Sequence, residues 1–338
     1  MIRPIYRTET ELVDRPKDSN AGLWYDKFCD QWLENWDGLG DSGKKSWITG
    51  VTCGPVGDPH LIKEVTERHL NLLTGCGGTA LYLKTDGPFV TGLGRNHPVE
   101  NGFAWHHTLG TPYLPGSSVK GIVRSWAKTW REEDGETINR IFGPRDSNTS
   151  SVGSIIFLDA IPVSQVQLKA DVMTPHYGPY YQGDEPPADW HNPVPVPFLV
   201  VDSGQDFLFG LLPRRPQDEV DREDCKKAAE WLKEALSRIG GGAKTAAGYG
   251  RFEHFVPRSP AMDWLDKEIE TLAKKQNKPP SRVLTEMPMK VAESWNEIKE
   301  PELKEKVLDD IKVRYGLLWD YPTGGLKKAK KIYEAKPQ

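Results

Sequence analysis

The segment from Gly240 to Arg251, GGGAKTAAGYGR, brings together glycines, two cations and a hydroxyl, the ingredients of an anion cradle. Glycine reaches positive φ at low cost and lets main-chain N–H groups crowd an anion, while Lys244, Thr245 and Arg251 supply charge and a hydroxyl. The spacing is not that of a P-loop: Ala243 stands where the last glycine of G-x-x-x-x-G-K-[ST] belongs and Arg238 where the first belongs. A dinucleotide fingerprint fails too, because Thr245 takes the place of the third glycine after Gly240 and Gly242. A plain flexible connector has the same composition.

A second segment, LPGSSVKGIVRSW from Leu114, makes a related argument. Gly116 precedes a predicted helix capped by Ser117 or Ser118, and a helix N-terminus offers unpaired N–H groups and the positive end of its dipole. Lys120, Arg124, Lys128 and Arg131 recur along that helix opposite its apolar stripe, which predicts a basic face beside an anion-ready end. A solvated surface explains such a stripe as well. Together the two segments favour binding of a phosphate backbone.

The elements that position them are readable from Thr79 onward. TALYLKTDGPFV predicts a strand with a turn at Asp86, Gly87 and Pro88, and SSVKGIVRSWAKTWR a helix with Val119, Ile122, Val123, Trp126 and Trp130 on one face. GSIIFLDAIPV, from Gly153, is of strand type. Ser164 to Pro195, rich in proline and aromatics, reads as a long insertion loop, and loops of that length are usually functional or disordered. VPFLVVDSGQDFLFGLLP predicts a hairpin around Asp202–Gln205, and a second helix runs from about Asp221 to Ile239 with Gly240 just past its end. RFEHFV closes the series as a strand.

Strand, helix, strand, strand, helix, strand is the order of an α+β, ferredoxin-like (RRM-like) unit, in which two helices pack on one face of an antiparallel sheet and the other face stays free for single-stranded RNA. The expected division is an N-terminal extension over 1–78, this domain over 79–257 with the insertion at 164–195, and a helical C-terminal appendage over 258–338 ending in Lys327, Lys328, Lys330 and Lys331. In the extension, Trp24, Phe28, Trp32 and Trp36 recur every fourth residue, a helical stripe ended by Gly38, Gly40 and Gly43.

Composition bounds the function. A chain of 338 residues with 44 Lys and Arg against 48 Asp and Glu is no polycation, so nucleic-acid binding has to use local patches. The N-terminus has no signal-like apolar core and no run approaches the roughly 18 apolar residues of a membrane span, which predicts a soluble cytoplasmic protein without membrane partners. Cys29, Cys53, Cys76 and Cys225 form no C-x-x-C pair, arguing against a zinc ribbon or a disulfide framework. Apart from a weak His97 with His106 or His107 pairing, no metal site is expected, and no cofactor.

LPGSSVKGIVR resembles the characteristic motif of the RAMP superfamily of CRISPR effector proteins, and GGGAKTAAGYGRF resembles its glycine-rich loop. The longer runs TGLGRNHPVENGFAWHHTLGTPYLPGSSVKGIVR and DVMTPHYGPYYQGDEPPADWHNPVPVPFLVV are similar to the family of sixth Cmr subunits of type III-B complexes, over about residues 79–257. The resemblance implies a non-catalytic structural subunit that holds the 3′ part of the guide RNA (crRNA) in antiviral defence. Its implied partners are target RNA, met through the assembled complex, and the RAMP backbone subunit, the small helical subunit and the first Cmr subunit. It assigns RNA contact or loop shape to Arg95, His97, Gly116, Ser117, Ser118, Lys120, Arg124, Gly242, Lys244, Thr245, Gly248, Tyr249, Gly250 and Arg251. The competing reading is a metal-independent endoribonuclease using His97, His106, His107 or His176, since RNA cleavage needs a base, an acid and a cation near the phosphate. A third is a pure protein-interaction adaptor, which leaves both anion-ready loops unused.

Overall fold

The structure, a computed structural model, describes residues 15–16, 19–35, 38–144, 151–175, 177–188, 190, 193–255 and 260–334. Trp36 and His176 lie outside them. The chain divides into two compact units, Met1–Phe255 and Val256–Gln338.

In the first unit an antiparallel sheet is built around β1 (Thr79–Thr85), with β4 (Ile155–Phe157), β5 (Ile161–Pro162), β8 (Asp206–Pro213) and β9 (Phe252–His254). The strand order is β4-β8-β1-β9, with β5 also on β8; Leu81 faces Phe209, and Lys84 faces Asp206 on one side and Glu253 on the other. Two further strands, β2 (Trp105–His106) and β3 (Thr111–Pro112), pair with each other. α4 (Gly116–Thr129) and α7 (Glu219–Arg238) pack against each other and against the sheet. Asp218 caps α7 by accepting from the N–H groups of Val220 and Asp221, and Gly240 follows its end with φ +78°. The apolar stripe that predicts α4 buries Val119, Val123 and Trp126, whereas Trp130, just past the helix, is 61% exposed.

The second face of the sheet is not free along β8. α3 (Pro59–Gly75), absent from the sequence reading, packs there: a side chain on Gly210 would meet Leu158 and Leu73. The predicted stripe in the N-terminal segment also divides differently. α1 (Ala21–Lys27) stops before Phe28, Trp32 bridges to Leu39, and Gly40 opens α2 (Asp41–Val51) rather than a loop. Trp24 and Trp47, from α1 and α2, stack with ring centroids 3.9 Å apart inside the same core as the sheet.

The stretch read as an unstructured insertion contains β6 (Leu168–Met173) and α6 (Gly178–Gln182), and the hairpin expected at Asp202–Gln205 is a change of sheet. β7 (Val196–Val201) pairs with β6 in a separate ribbon, from Leu168 facing Val201 to Met173 facing Val196, while β8 joins β1. α5 (Gly135–Phe142) is tied to α7 by Arg140, which grips the buried Asp224 with two hydrogen bonds of 2.9 Å.

The second unit is helical throughout its described residues: α8 (Pro260–Gln276), α9 (Pro280–Glu286), α10 (Pro288–Asn296), α11 (Pro301–Tyr315), α12 (Leu317–Asp320) and α13 (Gly324–Tyr333). It has its own core, with Leu265, Val283, Val291, Val307, Ile311 and Ala329 buried. No described helix is long and apolar enough to cross a membrane.

Candidate nucleic-acid interface

The two segments singled out in the sequence converge on one groove of about 530 Å³. It is lined by the exposed side of α4, presenting Ser118, Gly121 and Ser125, by the glycine-rich loop between Gly240 and Thr245, and by the Thr91–Gly94 segment after β1.

The loop owes its shape to close approaches that only glycine permits. Gly242 has φ +84° and a Cβ there would strike the Val90 carbonyl; Gly250 has φ +71° and a Cβ there would strike the Gly241 carbonyl. Main-chain bonds fix the course: the Ala243 N–H donates to Val90 O and the Gly250 N–H to Pro88 O, both at 2.8 Å. At the tip, Lys244 takes the left-handed conformation at φ +57°, Thr245–Ala247 form a 3₁₀ turn, and Gly248 ends it, exposed, at φ +93°.

Three contacts clamp this loop to the β6–β7 ribbon. The Tyr249 hydroxyl donates to Asp171 Oδ2 at 2.6 Å, the Tyr249 ring lies 5.9 Å from that of Phe198, and Lys244 Nζ sits 5.4 Å above Phe198. The bond to Asp171, with burial second, pushes the Tyr249 hydroxyl up to about 12, so it remains a neutral donor.

The cations are placed differently from the sequence reading. Lys120 and Arg124 leave α4 on another face than Ser118, Gly121 and Ser125 and do not line the groove. Arg124 Nη1 donates to the Gly143 carbonyl at 3.0 Å, and Arg131 pairs with Glu234, which also accepts from Trp126 Nε1. Burial, then Arg124 and Arg214, lowers the Lys120 ammonium from its ordinary value. Arg251 lies beneath the loop against Gly240, its Nη1 buried without a hydrogen-bond partner among the described residues. Arg95 is exposed and has no ion pair among the described residues.

The start of α4 is likewise occupied. Pro115, not a serine, is the N-cap, the Gly116 N–H donates to Asp159 Oδ1 at 2.7 Å, and a Cβ on Gly116 would strike the Phe157 carbonyl. A carboxylate of the protein therefore sits where an anion was expected. Ser117 and Ser118 are exposed in the first turn, and only Ser118 reaches the groove.

His97 is a scaffold residue. Its side chain is 3% exposed and stacks on Tyr25; Nδ1 accepts from the Val99 N–H, which leaves Nε2 to donate to the Tyr25 carbonyl at 3.0 Å. Burial holds this imidazole below its ordinary value, favouring the neutral ring. Both nitrogens are thus committed to backbone, which removes it from a metal pair with His106 or His107. His106 is tied by Nδ1 to Thr108 and Leu109.

The residue most easily overlooked is Gly121. A glycine inside an otherwise strong amphipathic helix is a local cost that calls for a reason, and that cost was the available signal. Asp159, Asp171 and Phe198 gave no local signal, because each acts on a residue at least 43 positions away.

Comparison with known proteins places the chain in a family. The chain is 29% identical over 256 residues to the Cmr6 subunit of the CRISPR system of Pyrococcus furiosus, covering 58% of this chain and 74% of the relative. It is 29% identical over 157 residues to the Cmr6 subunit of Saccharolobus solfataricus, spanning about half of that protein's length. A chain of a type III-B Cmr-beta complex solved bound to cognate target RNA shares the fold, with a TM-score of 0.51 at 23% identity over 63% of this chain and 71% of that one. Residues 82–253, which hold the central strands, α4, α7 and the glycine-rich loop, match the RAMP superfamily, and the protein belongs to that superfamily.

Proposed function

We propose that the protein is a non-catalytic, RNA-binding structural subunit of a type III-B CRISPR effector complex, holding the 3′ part of the guide RNA. The observation that carries this reading is the convergence of the α4 segment and the glycine-rich loop, far apart in sequence, on one surface groove. Membership of the RAMP superfamily and similarity to two Cmr6 subunits support the assignment to such a complex. A ferredoxin-like description of the domain is supported by the order β4-β8-β1-β9, in which a helix follows β1 and another follows β8. On this reading the partners are the guide RNA, target RNA through the assembled complex, and neighbouring Cmr subunits, among them the RAMP backbone subunit. The protein itself performs no cleavage.

Recovery of the tagged protein from its host at moderate salt, with mass spectrometry of bound proteins and sequencing of bound RNA, tests the proposal. The expected outcome is short RNAs with a common repeat-derived 5′ end, together with other RAMP subunits. Repeat-free RNA, or none, would overturn it. Cleavage of RNA by the isolated chain that is lost on replacing His106 and His107 with Ala would replace it by the endoribonuclease reading.

A further inference from the structure

Every group lining the groove is uncharged. Hydroxyls are contributed by Thr91, Ser118, Ser125 and Thr245, and the apolar surface by Leu93, Ile122 and Ile239 among others. A phosphate seat here would draw on a lysine or arginine or on free main-chain N–H groups, and of the lining loop residues Gly240 and Ala243 already give theirs to the Ala235 and Val90 carbonyls. None of the nearby cations lines it: Arg124 and Arg131 are braced on Gly143 and Glu234, Lys244 lies over Phe198, and Arg95, next to the lining Gly94 in sequence, is exposed. A lining of hydroxyls and apolar side chains matches a different part of a nucleic acid: the flat apolar face of a base and the hydroxyls of its ribose.

Gly121 points the same way. It is exposed in the middle of α4, where glycine is the poorest helix former after proline, and a Cβ built on it meets nothing within 4 Å. Neither φ nor internal packing asks for glycine at this position. Its absent side chain instead leaves space on the helix wall of the groove that Gly242 and Ala243 also line.

We propose that the groove seats the nucleoside part, base and ribose, of one unstacked nucleotide of single-stranded RNA and leaves its phosphates outside. This rests on the RNA-binding reading above and specifies which part of the strand enters the site. The hydroxyls of Ser118, Ser125 and Thr245 are within the same groove as the ribose and offer partners for a 2′-OH, which DNA lacks.

The test uses the full chain, a single-stranded RNA of guide length and the same sequence as DNA, titrated over a range of salt concentrations. Gly121→Leu enters the groove from the helix wall, where a Cβ meets nothing within 4 Å. It is expected to melt no lower than the unaltered protein and to bind RNA at least about tenfold more weakly at every salt concentration, with an unchanged log-log salt slope, since no phosphate contact is lost. The unaltered protein is expected to prefer RNA to DNA, and the variant to lose that preference. Ser125→Leu enters the same groove one turn further along and decides the matter if Gly121→Leu fails to fold. Undiminished affinity in a folded variant, or a reduced salt slope, overturns the proposal while leaving RNA binding standing. An unaltered protein that binds neither strand overturns the RNA-binding reading itself.

Discussion

The two sides of α4 carry opposite kinds of residue for opposite purposes. One side is small and uncharged, with Ser118, Gly121 and Ser125 lining the groove; the other carries Lys120 and Arg124 and continues to Arg131 beyond the helix end. The sequence makes the charged side the obvious binding surface. In the folded chain two of the four cations of that face are engaged within the protein, Arg124 on the Gly143 carbonyl and Arg131 on Glu234, whereas on the small side a Cβ at Gly121 would meet nothing within 4 Å. An arginine with a rigid fork of donors is as well suited to tying loops and helices together as to gripping phosphate, so its presence in a motif does not by itself indicate a ligand.

The sharpest way to break this comparison is on the glycine-rich loop that lines the groove with α4. Gly250→Ala places a Cβ against the Gly241 carbonyl at a φ of +71°, so the loop has to move. A loss of about 3 kcal/mol in denaturant unfolding is expected, with RNA affinity falling alongside. If Gly250→Ala is as stable as the parent, the loop is not the rigid wall described here. Arg124→Ala comes next: losing its bond to Gly143 removes about 1–2 kcal/mol of stability, with RNA affinity at moderate salt unchanged within about twofold. A large affinity loss at unchanged stability would return that residue to the binding surface. The salt dependence reads the whole set at once. Had Lys120, Arg124, Lys244 and Arg251 each met a phosphate, changing all four to Ala would lower the log-log slope by roughly 3 units. With only Lys120 and Lys244 in a position to do so, the expected fall is roughly 1.4 units.

What the sequence reveals about this molecule is what is local. The amphipathic period of α4 and α7, the glycine that follows α7 and the glycine-rich loop all follow from neighbouring residues, and all are found near their expected places. What it conceals depends on distant partners. Val196–Val201 and Asp206–Pro213 look like two arms of a hairpin, yet each finds a different neighbour, because Leu168–Met173 supplies an edge for the first and β1 for the second. The aromatic recurrence from Trp24 crosses a helix end, since Trp24 is satisfied by stacking on Trp47 from α2. The fate of the cations is concealed in the same way: Arg131 meets Glu234 across 103 positions, a pairing no window of sequence contains. The glycine at 121 was legible as a cost but not as an opening, because its meaning depends on the distant loop that lines the same groove.

The smallest effect concerns how the loop wall is held. Tyr249→Phe removes the bond to Asp171 but keeps the ring against Phe198, so a loss of about 1 kcal/mol is expected at neutral pH. The pH dependence identifies the cause. With the folded-state hydroxyl raised to about 12 against an ordinary value near 10, the native protein holds this proton more tightly than the unfolded chain does. The contribution is therefore complete below about pH 10 and is lost as pH rises through about 12. Other buried tyrosines, Tyr25 and Tyr333 among them, are also shifted upward and steepen alkaline unfolding of the whole molecule. Only the difference between parent and Tyr249→Phe isolates the clamp: it should be flat from neutral pH to about 10 and shrink above it. A difference that does not shrink would mean that the hydroxyl contributes through packing, and that the ribbon and the loop are joined by Phe198 alone.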